Sequence, residues 1–228
     1  MLPNICYPVT EILLQSFGSC QHEWVSQKEI GTDGTYGEIW SVCCNKNNRN
    51  DCNHVLKYMP YDNGIRMNTR VDIINEINIQ NQCASVGLCP SINDAWLCEK
   101  GGAFVMELYT LTVKQFLLMY PDIKDKQNIL ANIVTLIDKL HRYGIYHGDL
   151  HLDNIMVNQS DGKTGVKEII YRFIDFGKGG RFVSMNDPHV YKDYLYVSQH
   201  IQDLIDEYPD TNFNELYETM KIYMKKFD

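Results

Sequence analysis

The sequence predicts an α+β fold in two parts, a strand-rich first part and a mainly helical second part. Three observations carry this reading. Short strand-like segments bounded by turn residues, EWVSQKEIG, GEIWSVCC and HVLKYM, fill the N-terminal region. A segment with helical spacing, TRVDIINEINIQNQ, then interrupts them. Farther on, DIKDKQNILANIVTLIDKLHRYG places Ile129, Ile133, Leu136, Ile137 and Leu140 on one helical face and stops at Gly144.

The elements follow in order. EWVSQKEIG and GEIWSVCC flank the stretch IGTDGTYGEIW, in which Gly31, Gly34 and Gly37 recur every third residue. Alone, that stretch reads either as a hairpin turn or as a phosphate-cradling loop. NKNNRNDCN reads as a polar loop before the third strand, HVLKYM, and Asn63-Gly64 is a turn signal after it. The helix from Thr69 to Gln82 places Val71, Ile73, Ile74 and Ile77 near one face. SINDAWLCEKGGAFVMELY predicts two strands in a hairpin around Gly101-Gly102. After the long helix, NIMVNQ and EIIYRFIDF are strand-like and enclose SDGKTG. From about Asp193 the chain reads as helical, with a break at Pro209. A small strand-rich lobe followed by a helical lobe is expected to leave a ligand cleft.

Composition narrows the function classes. At 228 residues the chain suits one large domain or two small lobes, and its 44% hydrophobic content suits a packed protein. The net charge of −8 opposes general nucleic-acid binding, which needs a cationic field. The lysine-rich KIYMKKFD is read as a solvated helix end. No two of the eight cysteines have C-x-x-C spacing, so no zinc or redox motif is expected. The opening shows no signal peptide, so reduced thiols and a cytoplasmic setting are expected. No apolar run is long enough for a bilayer, and no membrane partner is expected.

The chemistry concentrates in IYHGDLHLDNIMV, directly after the long helix. Phosphoryl transfer needs a base to orient the attacking hydroxyl and oxygen ligands for magnesium. Asp149 and Asn154 meet both needs if the loop between them turns back. In FIDFGKGG, Asp175 follows an apolar strand and precedes a glycine, a position suited to metal coordination. His147 reads as a structural histidine that holds the loop, and Asp153 as a solvated or capping carboxylate.

Together these motifs resemble the protein-kinase superfamily, from about Glu29 to Gly177. HGDLHLDN resembles the catalytic loop H-R-D-L-x-x-x-N, and Asp175-Phe176-Gly177 is an intact DFG. The resemblance implies a two-lobed kinase-like fold: residues 1–106 as an antiparallel N-lobe with one helix, 107–109 as the hinge, and 110–228 as a reduced, mainly helical C-lobe. It makes Asp149 the catalytic base, and Asn154 and Asp175 the ligands of Mg²⁺ or Mn²⁺. VLK is similar to V-A-I-K, so Lys57 holds the ATP phosphates, and Glu76 on the following helix pairs with it. FVMELY resembles the hinge strand, with Met106 as gatekeeper and the backbone of Glu107 and Tyr109 facing adenine. Ile39, Val55 and Met156 are the apolar walls of the pocket. Gly31, Gly34, Tyr36 and Gly37 become the nucleotide lid. That lid has one residue more than the family pattern, with Thr32 in the usual first glycine's place and Tyr36 above the phosphates.

The chain departs from the family at several positions. Gly148 replaces the arginine that receives an activation-loop phosphate, and His151 replaces the usual loop lysine, where it contacts the γ-phosphate. Gln80 stands where an apolar residue is usual. No A-P-E follows Gly177. KDYLYVSQHI resembles the helix whose aspartate supports the catalytic loop, which nominates Asp193. Small atypical and viral kinases share such brevity, and a viral chain would act in host-cell cytoplasm or in the virion. The expected function is an ATP-dependent serine/threonine protein kinase with protein substrates, completed by an activating partner if the short C-lobe needs one. HGDLH is also similar to aminoglycoside and choline phosphotransferases, so a small-molecule phosphotransferase is the first alternative. A regulatory pseudokinase is the second.

Overall fold

The computed structural model describes residues 6–8, 24–31, 37–46, 49–62, 68–98, 100–120, 122–161, 167–209 and 212–227. The chain divides into two compact units, Met1–Leu108 and Tyr109–Asp228.

The first unit contains β1 (Cys6–Pro8), β2 (Trp24–Gly31), β3 (Glu38–Lys46), β4 (Arg49–Pro60), α1 (Arg70–Ser85), β5 (Ile92–Cys98) and β6 (Gly101–Glu107). Its strands form one antiparallel sheet in the order β1-β5-β6-β4-β3-β2. Side chains alternate across a strand, so β4 sends Leu56 to one face and Val55 and Lys57 to the other. Leu56 joins Val42, Ala103 and Val105 in a core cluster, against which Trp24, Trp40, Tyr58 and Trp96 pack. Helix α1 starts at a capping box: Thr69 accepts from the Asp72 N–H while the Asp72 carboxylate accepts from the Thr69 N–H. It buries Ile73 and Ile77, whereas Val71, expected on the same face, is 73% exposed.

Two strand boundaries differ from expectation. Residues 45–53, expected as a loop, mostly belong to the β3–β4 hairpin, whose pairing reaches Lys46 opposite Arg49. Polarity concealed this because the tip of the hairpin extends past the ends of β2 and β6, which pair only as far as Cys44 and His54, so its residues need not alternate apolar and polar. Gly101 and Gly102 lie inside β6 rather than at the turn. A Cβ at Gly102 would come within 2.7 Å of the Ile73 side chain, so glycine there lets α1 approach the sheet closely. The thiols also differ from expectation. Cys43 is bonded to Cys52, which cross-links β3 to β4, and Cys44 and Cys98 are also disulfide-bonded. Cys83 and Cys89 are buried thiols. C-x-x-C spacing could not reveal a bond that depends on strand register.

The second unit contains β7 (Leu111–Thr112), α2 (Val113–Met119), α3 (Ile123–Arg142), β8 (Ile145–Tyr146), a 3₁₀ turn (Leu152–Asn154), β9 (Ile155–Asp161), β10 (Lys167–Phe173), β11 (Gly180–Arg181), α4 (Pro188–Glu207), α5 (Phe213–Met224) and a last 3₁₀ turn (Lys225–Phe227). Asp122 caps α3, whose Ile133, Ile137 and Leu140 are fully buried. Val197 and Ile201 of α4, with Phe213, Leu216 and Met220 of α5, complete this helical core. Each such side chain contributes roughly 1.5–3 kcal/mol by leaving water.

Strand pairing aligns the two chemistry-bearing segments. β8 pairs with β11, and β9 pairs with β10. The loop from His147 to Asn154 therefore runs beside the segment from Ile174 to Gly179, with a strand pair at each end of both. No helix among the described residues is long and apolar enough to cross a membrane.

Candidate active site

In the first unit, β4 and α1 bring Lys57 and Glu76 together. Lys57 Nζ lies 2.6 Å from Glu76 Oε1, and both side chains are about 95% buried (4% and 5% exposed). Nineteen residues separate them in sequence, so the pair depends on α1 docking against the sheet. A buried ammonium held by a carboxylate is positioned where phosphate oxygens could meet it.

The other expected residues of this unit surround that pair in the sheet. Ile39 lies opposite Lys57 in the β3–β4 register, and Val55 lies opposite Met106 in β4–β6. Met106 and Val55 are buried and Ile39 is half-buried. Gln80, the polar departure, is 1% exposed, and its Nε2 donates to the Pro90 carbonyl at 3.3 Å and to Met106 Sδ at 3.7 Å. The buried amide is thereby satisfied by hydrogen bonds. Glu107 ends β6 exposed, with its N–H donating to the Ser91 carbonyl. Gly31 ends β2 opposite Ile39, and Gly37 precedes β3 with φ +154°. Gly34 and Tyr36 lie outside the described residues, as does Thr32.

In the second unit the catalytic loop does turn back. Asn154 Nδ2 donates to the Asp149 carbonyl at 3.0 Å, and the Ile174 N–H donates to the Asn154 carbonyl at 3.0 Å. The first bond commits the amide nitrogen and leaves Asn154 Oδ1 as the atom to offer a cation. The second draws Asp175, the next residue, alongside. Asp175 has φ 65°, a left-handed conformation that is unusual for a residue other than glycine. One amide oxygen and one carboxylate make an all-oxygen donor set, which fits a hard cation such as magnesium. Met156 lies half-buried in β9, opposite Arg172 and Thr112. Tyr109 is buried where this unit begins.

Asp193 of α4 organises the start of the loop. It is fully buried and accepts three hydrogen bonds, each of 2.9 Å, from the His147 N–H, the Gly148 N–H and His141 Nε2. Gly148 has φ +78°, and a Cβ there would sit 2.3 Å from the Lys178 carbonyl. An arginine at this position would be strained and would collide with the backbone, which accounts for the glycine. His147 is buried between the two segments. Its ring packs against Phe173 and Phe176, and its Nε2–H donates to the Ile174 carbonyl at 2.8 Å.

Burial pushes the His147 pKa below its ordinary 6.5, outweighing the opposite pull of Asp193, the Ile174 carbonyl, Asp175 and Asp149. The folded protein thus holds His147 neutral while the unfolded chain takes up a proton near pH 6.5. Its stabilising effect is present above that value and is lost as pH falls toward the depressed folded pKa. The urea midpoint should therefore fall between about pH 7.5 and about pH 5.5. His147→Gln should flatten that fall, and the remaining slope should include His200. Equal slopes in both proteins would contradict the assignment.

Two site residues escape sequence reasoning. Lys178 Nζ lies 2.9 Å from Asp149 Oδ2 and offers a cation beside the expected base. His141, on the buried face of α3, holds Asp193 from behind. A histidine on an apolar face was its only sequence signal. Asp153 caps no helix and is only partly exposed. Its Oδ1 accepts from Thr112 Oγ1 at 3.1 Å. His151 is half-buried with its ring tilted against His200, at a centroid distance of 5.0 Å. Burial first, and then the neighbouring His151, lower the His200 pKa.

The family model described as a protein kinase domain matches residues 24–201, most of the chain. The chain belongs to the protein kinase family. A probable serine/threonine-protein kinase of Dictyostelium discoideum is 26% identical to it over 96 residues, 40% of this chain and 17% of that relative. The kinase chain therefore matches only a small part of that relative's length. Members of the protein kinase family are phosphotransferases in general, and the family implies ATP and a divalent metal.

Proposed function

We propose that this kinase transfers the γ-phosphoryl group of ATP to a serine or threonine hydroxyl of a protein substrate, using Mg²⁺ or Mn²⁺. The buried Lys57–Glu76 pair is the observation that carries the reading, because two ionisable groups held together at this depth, 19 residues apart in sequence, mark a functional-site candidate. Lys57 holds the α- and β-phosphates, and Glu76 fixes its ammonium. Asn154 Oδ1 and the Asp175 carboxylate hold the metal, which when bound neutralises charge on the phosphates. Asp149 accepts a hydrogen bond from the acceptor hydroxyl and orients it in line. Met106, Val55 and Ile39 of the first unit give the adenine an apolar wall, and the backbone of Glu107 meets its edge.

Lys178 takes the place of the cation that the catalytic loop lacks at His151. It sits 2.9 Å from the base, where an ammonium can shift between the Asp149 carboxylate and a γ-phosphate oxygen. Lys178→Ala should lower kcat by roughly tenfold to a hundredfold while changing the KM for ATP far less. A change confined to KM would assign Lys178 to ground-state nucleotide binding instead.

Gly148 and the HGDLH sequence favour one second reading, a phosphotransferase acting on a small hydroxylated molecule. The deciding experiment incubates the wild-type kinase with radiolabelled ATP, a mixture of protein substrates and a metabolite panel. Label on serine or threonine of protein supports the first reading. Label confined to a metabolite replaces it with the second.

A further inference from the structure

The structure assigns a second, transition-metal site to His151, Asp153 and His200, separate from the nucleotide machinery. Ligand atoms of the three side chains lie within 4.8 Å of one another. The imidazole Nδ1 atoms of both histidines are buried and have no hydrogen-bond partner among the described residues. Two unpartnered imidazole nitrogens facing a carboxylate form a ligand set that zinc uses with an open fourth position. Magnesium and calcium, which take oxygen ligands, are poorly served by it.

The surroundings support a built site. Thr112 Oγ1 donates to Asp153 Oδ1 and holds the carboxylate in place, as outer-shell donors do for metal ligands. Asp203 lies near His200 and adds negative charge, and Lys114 is the nearby cation. A tetrahedral zinc site sets its ligands ~3.3 Å apart, so the cluster closes around an ion by small side-chain rotations. The topology also gives the site a purpose. Asp193 and His200 lie two turns apart on one face of α4. Asp193 grips the loop at His147 and Gly148, and a metal on His200 grips it at His151 and Asp153. Both ends of the catalytic loop are then tied to one helix.

The test uses the full 228-residue chain, stripped with a chelator and free of nucleotide, so its outcome does not depend on phosphotransfer. Calorimetric titration with Zn²⁺ should show one bound ion per chain. Co²⁺ should give the visible bands of a four- or five-coordinate nitrogen–oxygen site. His200→Ala, His151→Ala and Asp153→Asn should each weaken Zn²⁺ binding by at least about tenfold, with folding checked by circular dichroism. His189→Ala, on the same helix but paired with Asp187, should leave it unchanged. X-ray absorption of the zinc-loaded wild type should show imidazole scattering without sulfur, an observation that stands even if a variant fails to fold. Absence of stoichiometric binding, sulfur ligation, or unchanged affinity in all three variants overturns the assignment.

Discussion

Asp193→Ala will unfold the kinase at a markedly lower urea concentration and remove its phosphotransfer activity. The carboxylate has no solvent exposure, and it accepts from two backbone N–H groups and one imidazole N–H. Removing it leaves three buried donors without an acceptor, each costing about 1–3 kcal/mol before relaxation. Water entering the gap recovers part of that, so a net loss of about 3–5 kcal/mol is expected, the range for a broken buried pair. Activity falls with stability because the same bonds set the path of the loop into Asp149. Asp193→Asn keeps the shape and one acceptor oxygen, so it should fold better than Asp193→Ala while remaining impaired. An Asp193→Ala protein with wild-type stability would mean that the loop is held by something else.

Asp175→Asn should separate backbone from chemistry. Asparagine tolerates the left-handed conformation that Asp175 adopts at φ 65°, so the variant should fold with a stability within about 1 kcal/mol of wild type. If Asp175 holds the metal as proposed, the variant should nevertheless lose at least about a hundredfold in phosphotransfer, because the charge that balances the cation is removed. Asp175→Gly extends the test. Glycine relieves the left-handed conformation, so it should be as stable as wild type or more stable, and still inactive. A gain in stability on Asp175→Gly with activity abolished would mark the left-handed backbone at this position as strain retained for function. If Asp175→Asn keeps full activity, Asp175 is not a metal ligand.

The residues that were legible in the sequence share a property: each belongs to a local motif or lies at a spacing that secondary structure converts into contact. Asp149 and Asn154 lie five residues apart, and the 3₁₀ turn closes that gap. Lys57 and Glu76 were legible because an apolar strand and a capped helix hold them, and their ion pair follows from docking. Asp193 was reachable through the pattern of the helix that bears it, but its three partners were not. They converge from α3 and the catalytic loop, and no sequence spacing encodes that meeting. Lys178 reads as an ordinary surface lysine until the positive φ of Gly148 brings the two loops together. The disulfide between Cys43 and Cys52 was hidden for a similar reason, since only the β3–β4 hairpin brings these cysteines together. In the glycine stretch, Gly31 ends β2 and Gly37 immediately precedes β3, whereas Gly34 and Tyr36 lie outside the described residues.

The most direct test of the account compares wild type with Asp149→Ala in two assays, nucleotide binding and transfer of label from ATP. Asp149→Ala should bind ATP with an affinity within a few-fold of wild type, because Lys57, Asn154 and Asp175, the residues proposed to hold the phosphates and the metal, remain. Its transfer rate should fall by about 10²–10⁴-fold, the range for losing a positioned general base. A wild type that binds ATP but transfers no label with either Mg²⁺ or Mn²⁺, or an Asp149→Ala variant that transfers label at the wild-type rate, would contradict it.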